Sequence, residues 1–236
     1  MNSTSKPVLK IDWATHEAAK FACLNWHYSK SMPVAKVVKI GAWENDKFIG
    51  VVIFSWGANP NLGKPYGLAM IECCELVRVA LTKHATPVSR IIAIAIRWLK
   101  KQSPGLRLVV SYADTSQGHH GGIYQATNWI YTGSILQASM AEFNGKVAHK
   151  RTFSTAGIKG YTLQQAKPKH KYLMPLDDAM REQIAPLAKP YPKRTTRTKE
   201  QDAGHPPALD GVTPIRALQT LEIPPHLKVM AARSQR

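Results

Sequence analysis

The stretch Glu75-Leu76-Val77-Arg78-Val79-Ala80-Leu81-Thr82-Lys83-His84-Ala85-Thr86-Pro87-Val88-Ser89-Arg90 decides the fold. Met70–Leu81 is aliphatic and β-branched and reads as a long strand. Thr86-Pro87 then carries the signature of a helix start. A hydroxyl residue can cap the first turn, and proline fits there because its missing N–H would be unpaired anyway. Val88, Ile91, Ile92, Ala95 and Leu99 recur at helical spacing and predict one buried stripe. Leu106–Tyr112 follows as a second apolar strand.

Towards the N-terminus, Thr15 can cap a helix with Glu17 in its first turn and Ala18, Phe21 and Ala22 on one face. That helix is expected to end near Asn25–Trp26, before a polar loop that cannot stay helical through Pro33. Val37–Trp43 and Phe48–Trp56 flank Glu44-Asn45-Asp46-Lys47 and read as an antiparallel hairpin. Ala58–Gly67 holds two prolines and two glycines and reads as a loop. Towards the C-terminus come a short helix at Gly121–Asn128, a strand at Trp129–Ser134, and a hairpin of Ala141–Phe143 with Lys146–His149. Asn144-Gly145 is its tight turn. The elements predict an α+β fold, an α/β sandwich with a mixed, largely antiparallel central sheet flanked by helices. One domain is expected over 1–194. The polar, proline-containing segment 195–236 reads as a disordered tail, with a short helix near Ile215–Leu221.

Composition narrows the function. The chain has 236 residues and no apolar run of the ~18–20 residues that a membrane helix needs. Its start has no apolar stretch behind basic residues, which argues against a secretory signal. Three cysteines without a CxxC pair argue against a disulfide scaffold and a zinc finger, and for a reducing cytoplasm. Lys and Arg number 32 against 15 Asp and Glu, a net charge of +17. The last 50 residues hold nine basic and four acidic groups, so +12 remains on residues 1–186. The expected folded part is itself basic, which points to nucleic acid first and an anionic cofactor second.

Three clusters carry candidate chemistry. His27 and Tyr28 stand in the polar loop after the first helix, and an ordinary loop histidine beside a packing tyrosine is the competing reading. Asp114 ends an apolar strand and opens a polar, glycine-rich turn through His119, His120, Gly121 and Gly122 to Tyr124. Ligands favour the carboxyl ends of such strands. A capping Asp, turn glycines and a core Tyr are the alternative. His27, His119, His120 and Asp114 are also ligand types for iron or another transition metal, without the spacing of a known motif. Arg78, Lys83 and Arg90 surround the expected start of the second helix, where free N–H groups attract phosphate. Arg90, Arg97 and Lys101 share one face of that helix and can meet an anionic backbone, or simply water. Lys146, Lys150 and Arg151 lie on and just after the basic hairpin.

Trp26-His27-Tyr28-Ser29-Lys30-Ser31-Met32-Pro33, Glu75-Leu76-Val77-Arg78-Val79, and Tyr112-Ala113-Asp114 with Gly122-Ile123-Tyr124-Gln125-Ala126-Thr127-Asn128-Trp129 occur in this order. Together they resemble the Mom proteins of phage Mu and its relatives over roughly residues 10–175. That resemblance implies a fold like the Gcn5-related N-acetyltransferases. It also implies conversion of adenine N6 in double-stranded DNA to the carbamoylmethyl form, which shields phage DNA from restriction in the bacterial cytoplasm. Carried over by position, His27, Tyr28, Asp114 and Tyr124 are the catalytic candidates. Arg78, Val79, Lys83, Ser89 and Arg90 are the candidates to hold the donor. Segment 82–87 lacks the glycines of the pyrophosphate loop in ordinary acetyltransferases, so the donor is either acetyl-CoA or an aminoacyl group such as aminoacyl-tRNA. Iron is associated with the family, and His27 and Asp114 are ligand types that could hold it; a metal requirement stays open. Trp26, Lys30, Tyr66, Lys146, Lys150 and Arg151 are the expected DNA contacts, with Tyr28, Trp26 and Tyr66 as stacking platforms for a flipped adenine. A tRNA partner, where it carries the donor, and no membrane complete the expectation; the oligomeric state stays open, with a dimer as one option. The competing classes are an acyl- or aminoacyltransferase on another amine, and a non-catalytic DNA-binding protein of the same fold.

Overall fold

The computed structural model describes residues 6–57, 59–136, 140–164 and 168–193. The expected tail and its short helix lie outside them. The described chain divides into two compact units, one of residues 6–57 and 77–102, the other of residues 59–76 and 103–193.

The first unit contains β1 (Leu9–Trp13), α1 (His16–Trp26), β2 (Val37–Glu44), β3 (Lys47–Ser55), the second part of β4 (Cys73–Leu81) and α2 (Val88–Gln102). Its strands run in the order β1-β2-β3-β4, with β1–β2 and β2–β3 antiparallel. The β2–β3 turn places Asn45 and Asp46 at φ 49° and 61°. Asn and Asp tolerate this left-handed region better than other side-chain-bearing residues. Asn45 also binds Val8 by an N–H···O bond in each direction, at 3.0 and 2.9 Å, and so starts β1. Gly50 has φ +140°, and a Cβ there would stand 2.1 Å from the Ala80 carbonyl oxygen. Only glycine permits that approach. Thr15 accepts a hydrogen bond from Ala18 N at 3.1 Å and caps α1. Ala18, Ala19, Ala22 and Cys23 are its buried face, clustered with Val51, Ile53 and Ala80. The α2 stripe buries Ile91, Ile92, Ala95 and Leu99 as read, adds Ile96, and leaves Val88 half-buried.

The second unit contains the first part of β4, β5 (Leu108–Asp114), α3 (Gly122–Gln125), β6 (Ile130–Ile135), β7 (Met140–Phe143), β8 (Lys146–His149), α4 (Lys150–Thr155), β9 (Thr162–Gln164), β10 (Lys169–Pro175) and α5 (Asp178–Ile184). The order is β4-β5-β10-β6, and β8-β7-β9 form a separate three-stranded sheet. β4 and β5 pair in parallel over Cys73–Glu75 and Leu108–Val110, while β10 is antiparallel to β5 and β6. The fold is α+β with mostly antiparallel pairing, as the sequence implies. Three strands escape the reading, β1, β9 and β10, and so do helices α4 and α5. The strand expected to begin at Met70 begins at Cys73, because Met70–Glu72 form a 3-10 turn that Glu72 closes by accepting from Ala69 N at 2.8 Å.

Candidate functional site

Strand alternation sorts the groups of the second unit onto two faces. Leu108, Val110, Tyr112 and Asp114 of β5 share one face, and Val109, Ser111 and Ala113 share the other. Asp114 stands on the first. One of its carboxylate oxygens accepts from Ser116 N at 2.9 Å and Ser116 Oγ at 2.6 Å, and the other lies 3.5 Å from Lys169 Nζ. Burial raises its pKa, but the Ser116 hydroxyl, the Lys169 ammonium and the Ser116 N–H outweigh that and hold it below the usual carboxylate range. Asp114 is therefore a capped, ionised carboxylate at the carboxyl end of β5.

Tyr124 stands on the opposite face. Its ring packs between Trp129 and Tyr172, each 5.0 Å away between centroids. Ser111 Oγ is 2.8 Å from both the Tyr124 hydroxyl and the Leu76 carbonyl oxygen. The carbonyl can only accept, so satisfying both contacts has Ser111 donating to Leu76 and Tyr124 donating to Ser111. The structure thus gives Asp114 and Tyr124 different faces and different partners, rather than the shared mouth their spacing suggests. Gly121 helps fix α3. Its φ is +84°, and a Cβ would stand 2.3 Å from the Tyr172 ring. On this same face, His170 Nδ1 lies 2.9 Å from Ser134 Oγ and 3.2 Å from the Tyr131 hydroxyl.

The Asp114 face carries a group that sequence reading passes over as part of a basic theme. Lys171 lies opposite Tyr112 in the β10–β5 register, two residues along from the Lys169–Asp114 pair. Its Nζ sits 5.1 Å from the centroid of the Tyr66 ring. Tyr66 is only 6% exposed, so it is a core ring covered by a cation and not the open stacking platform expected of it. Burial, with a smaller push from Cys73, raises its hydroxyl to about 12. Lys169 and Lys171 recur at strand spacing. That period of two was the available signal.

In the first unit, His27 is buried in the loop after α1. Its Nδ1 accepts from Ser29 N at 3.1 Å and lies 2.8 Å from Ser29 Oγ. A backbone N–H can only donate, so Nδ1 is an acceptor and the neutral ring carries its hydrogen on Nε2. Tyr28 packs on the His27 ring at 4.3 Å and remains 49% exposed. Trp26 is half-buried against Phe21 and Phe48, and Lys30 donates to Asn25 O at 2.8 Å, folding the loop onto the end of α1. Arg78 and Val79 are half-buried on β4. Arg78 donates one Nη to Val77 O, and its buried Nε has no partner among the described residues.

The phosphate site expected before α2 has a protein occupant. Glu44 accepts from Ala85 N at 2.9 Å, Thr86 N at 2.7 Å and Thr86 Oγ1 at 2.6 Å. Desolvation raises this carboxyl, but the Thr86 hydroxyl and both N–H groups, with His84, bring it below its ordinary value. Those N–H groups serve an internal carboxylate. Lys83 and Arg90 remain exposed and Ser89 half-buried. Lys146 and Lys150 are exposed on β8 and at the start of α4, while the Arg151 side chain lies outside the described set. Among the described residues no three His, Cys, Asp or Glu side chains gather as metal ligands. The lysine beside Asp114 would also oppose a cation there, so these residues do not fit an iron site. No helix among them is long and apolar enough to cross a membrane.

These observations define an α+β protein with a basic sequence, with polar side chains at the carboxyl end of β5 in one unit and, separately, in the loops after α1 and β4 in the other. The model of the Mom protein family matches residues 8–193, and the chain belongs to that family. It is 25% identical over 185 residues to the "Methylcarbamoylase mom" of Escherichia phage Mu, covering 71% of this chain and 76% of that protein. Among solved structures, it aligns with an acetyltransferase of Bacillus subtilis in complex with CoA at 14% identity and a TM-score of 0.45. That alignment covers 73% of this chain and 100% of the other. An aminoglycoside acetyltransferase, AAC(6')-Ib, in complex with coenzyme A aligns at 9% identity and a TM-score of 0.46, over 76% and 98% of the two chains.

Proposed function

We propose that this chain is a transferase that converts adenine N6 in double-stranded DNA to the N6-carbamoylmethyl form, protecting phage DNA from restriction in the bacterial host cytoplasm. The observation that carries the reading is the family match over residues 8–193, a span that includes every polar group described above. The phage Mu relative, named as a methylcarbamoylase, supports it. So does the net charge of +17, which suits a polyanionic substrate.

Adenine N6 is a poor nucleophile because its lone pair is delocalised into the ring. Such a site needs a positioned acceptor for the N6 proton and donors for developing negative charge. His27, with its hydrogen on Nε2, suits the donor role; the Tyr124 hydroxyl takes it only by turning its hydrogen away from Ser111. Asp114, held ionised, supplies fixed negative charge at the end of β5. Tyr28 is the exposed ring that suits stacking on a flipped base. Lys146 and Lys150 suit phosphate contacts. Of the two donors, an aminoacyl group carries the nitrogen that the carbamoylmethyl product needs, and the acetyl group of acetyl-CoA does not. With Glu44 on the N–H groups of Ala85 and Thr86, the side chains of Arg78, Lys83, Ser89 and Arg90 are left to hold the donor's anionic part.

The test is mass spectrometry of nucleosides from plasmid DNA of cells expressing the chain. The expected result is a deoxyadenosine with an added carbamoylmethyl mass, absent in cells expressing Tyr124→Phe. Unmodified deoxyadenosine beside abundant folded protein, in a host that supports the phage Mu relative, overturns the reading.

A further inference from the structure

We propose that the outward face of α2 is a docking surface for the sugar-phosphate backbone of duplex DNA, with Arg97 and Lys101 on the phosphates and the Trp13–Trp98 pair beside them; this rests on the reading of duplex DNA as the partner. Between Glu75 and Asp114 the sequence has no acidic residue and seven Lys or Arg. Four of those seven stand on α2. The helix turns Ile91, Ile92, Ala95, Ile96 and Leu99 inward and leaves Arg90, Arg97 and Lys101 exposed. Seven and four positions separate the three. They therefore line one side of the helix, about 10 Å and 6 Å apart along its axis. Among the described residues none of the three has an ion pair. Arg90 heads the row beside the other donor candidates, while Arg97 and Lys101 belong to neither the donor set nor the catalytic one.

A solvated helix face ordinarily mixes signs, because a carboxylate four residues from a lysine or arginine steadies the helix. This face has none. Arg97 and Lys101 stand four apart as a like-charge pair, and Arg90 lies in the first turn at the positive end of the helix dipole. Only Lys100 and Lys101, in the last turn, suit that dipole. The arrangement works against the free helix and gains from a polyanion.

Beside the row, Trp98 packs on Trp13 of β1 with 4.4 Å between ring centroids, and Trp13 is 49% exposed. Asp12, the carboxylate next to Trp13, is taken by Lys10 at 3.8 Å and by the Trp13 N–H at 2.8 Å. The surface offers cations and aromatic rings, which suits phosphates and the sugars between them. A row of cations along one axis also matches a line of phosphates better than a single acidic side chain. A membrane is the poorer fit, because a basic amphipathic helix binds lipid through its apolar face, and that face of α2 is already buried.

Two measurements on the full chain test this. The first is binding of a duplex of about 30 base pairs, read by fluorescence anisotropy between about 50 and 200 mM salt. Arg97→Gln combined with Lys101→Gln is expected to weaken binding by about tenfold or more and to make the slope of log K against log salt shallower by about two. Lys20→Gln combined with Lys47→Gln removes the same charge from exposed positions of α1 and β3. That control is expected to bind within about threefold of the parent with its slope kept, and both variants are expected to keep the parent Tm. An α2 variant that binds the duplex as the parent does, or a control that weakens as much, overturns the proposal. A loss confined to deacylated tRNA overturns it too, by making the surface an RNA site. The second needs no substitution. Amines of the parent are labelled with trace acetic anhydride, with and without saturating duplex, and read by peptide mass spectrometry. Lys101 is expected to be protected about fivefold or more and Lys20 less than about twofold. Equal labelling of Lys101 with and without DNA overturns the proposal. A parent chain that binds the duplex through α2 but modifies no adenine sinks the adenine reading instead and leaves this surface standing.

Discussion

The cluster under α1 is built from Ala14, Ala18, Ala19, Ala22, Cys23, Phe48, Val51, Ile53 and Ala80, and no hydroxyl or charge stands among them. The cluster beside α5 has Tyr66 and Cys73 among its buried members, with Tyr112 packed against it and Lys171 over the Tyr66 ring. On the other face of the β5–β10–β6 strands, Tyr124, Tyr131 and Tyr172 form a run of packed rings whose hydroxyls meet Ser111, His170 and the His120 carbonyl. The first unit thus keeps this cluster apolar and satisfies buried polar groups outside it, as Glu44 does for Thr86. The second buries tyrosines in its interior and half-buries a lysine against one of them. Burying such groups costs stability unless partners compensate, which makes the second interior the place to look for chemistry.

The strongest test of the contrast uses the two glycines under greatest constraint. A Cβ on Gly50 meets backbone at the Ala80 carbonyl, which no side-chain movement relieves. Gly50→Ala is expected to abolish cooperative folding, read by circular dichroism. A Cβ on Gly121 meets the Tyr172 ring at 2.3 Å and also forces a left-handed φ. Gly121→Ala is expected to cost about 2–4 kcal/mol in denaturant unfolding. Tyr172→Leu in the same chain is expected to return part of that loss, because the obstacle is a side chain. An unrescued Gly121→Ala would mean that backbone strain accounts for the whole cost.

Next in size is the rim of the first unit. Glu44→Ala leaves the N–H and hydroxyl of Thr86, a residue 2% exposed, without their acceptor. A loss of about 1–3 kcal/mol is expected, and Glu44→Gln is expected to lose less because its carbonyl still accepts. The folded carboxyl lies below its unfolded value. Its contribution is therefore complete above the unfolded pKa of about 4.3 and fades as pH falls through the folded one. The Tm difference between parent and Glu44→Ala should shrink on acidification within that window. A difference constant with pH would remove the ionised carboxylate from the explanation.

How far the fold was legible follows from local signals. The Thr15 cap, the Asn45-Asp46 turn and most of the α2 stripe are each written in a few adjacent residues, and each is found; Thr86-Pro87 does precede α2, but the Thr86 hydroxyl donates to Glu44 and does not cap the helix. β10 was missed because Lys169-His170-Lys171 reads as a charged segment. Its two lysines share one face with Tyr112 and Asp114, and its alternate residues pack against Tyr131 and Tyr124. β1 was missed because five residues including Lys10 and Asp12 carry little pattern, and its start depends on Asn45, far along the chain. Asp114 was legible as a residue at the carboxyl end of a strand. That Tyr124 lies on the opposite face was not, because the turn between them has no fixed period. Glu44 on the Thr86 loop is a contact across 42 positions that no spacing rule reports.

Smaller effects separate positioning from stability inside the second unit. Tyr124→Phe removes one hydroxyl, while Ser111 keeps the Leu76 carbonyl as partner. A cost of about 0.5–1.5 kcal/mol is expected. If Tyr124 acts in the reaction, the adenine product should fall by far more than that loss of stability explains. A product yield that merely tracks the folded fraction would return Tyr124 to the packed rings.

The smallest change expected is at the rim of the same unit. Lys169→Met removes the cation 3.5 Å from Asp114 and leaves both contacts from Ser116. Less than about 1 kcal/mol should be lost at neutral pH, because the pair is partly open to water. The folded Asp114 carboxyl lies below its unfolded value, so its contribution is full above about pH 3.9 and fades as pH falls towards the folded pKa. Without Lys169 that folded value moves up, the window narrows from its acid side, and the fall of Tm with acid becomes shallower. An unchanged acid limb would assign the whole depression to Ser116 and make Asp114 a cap alone. A shallower limb with unchanged adenine product would show that the pair holds the end of β5 without serving the reaction.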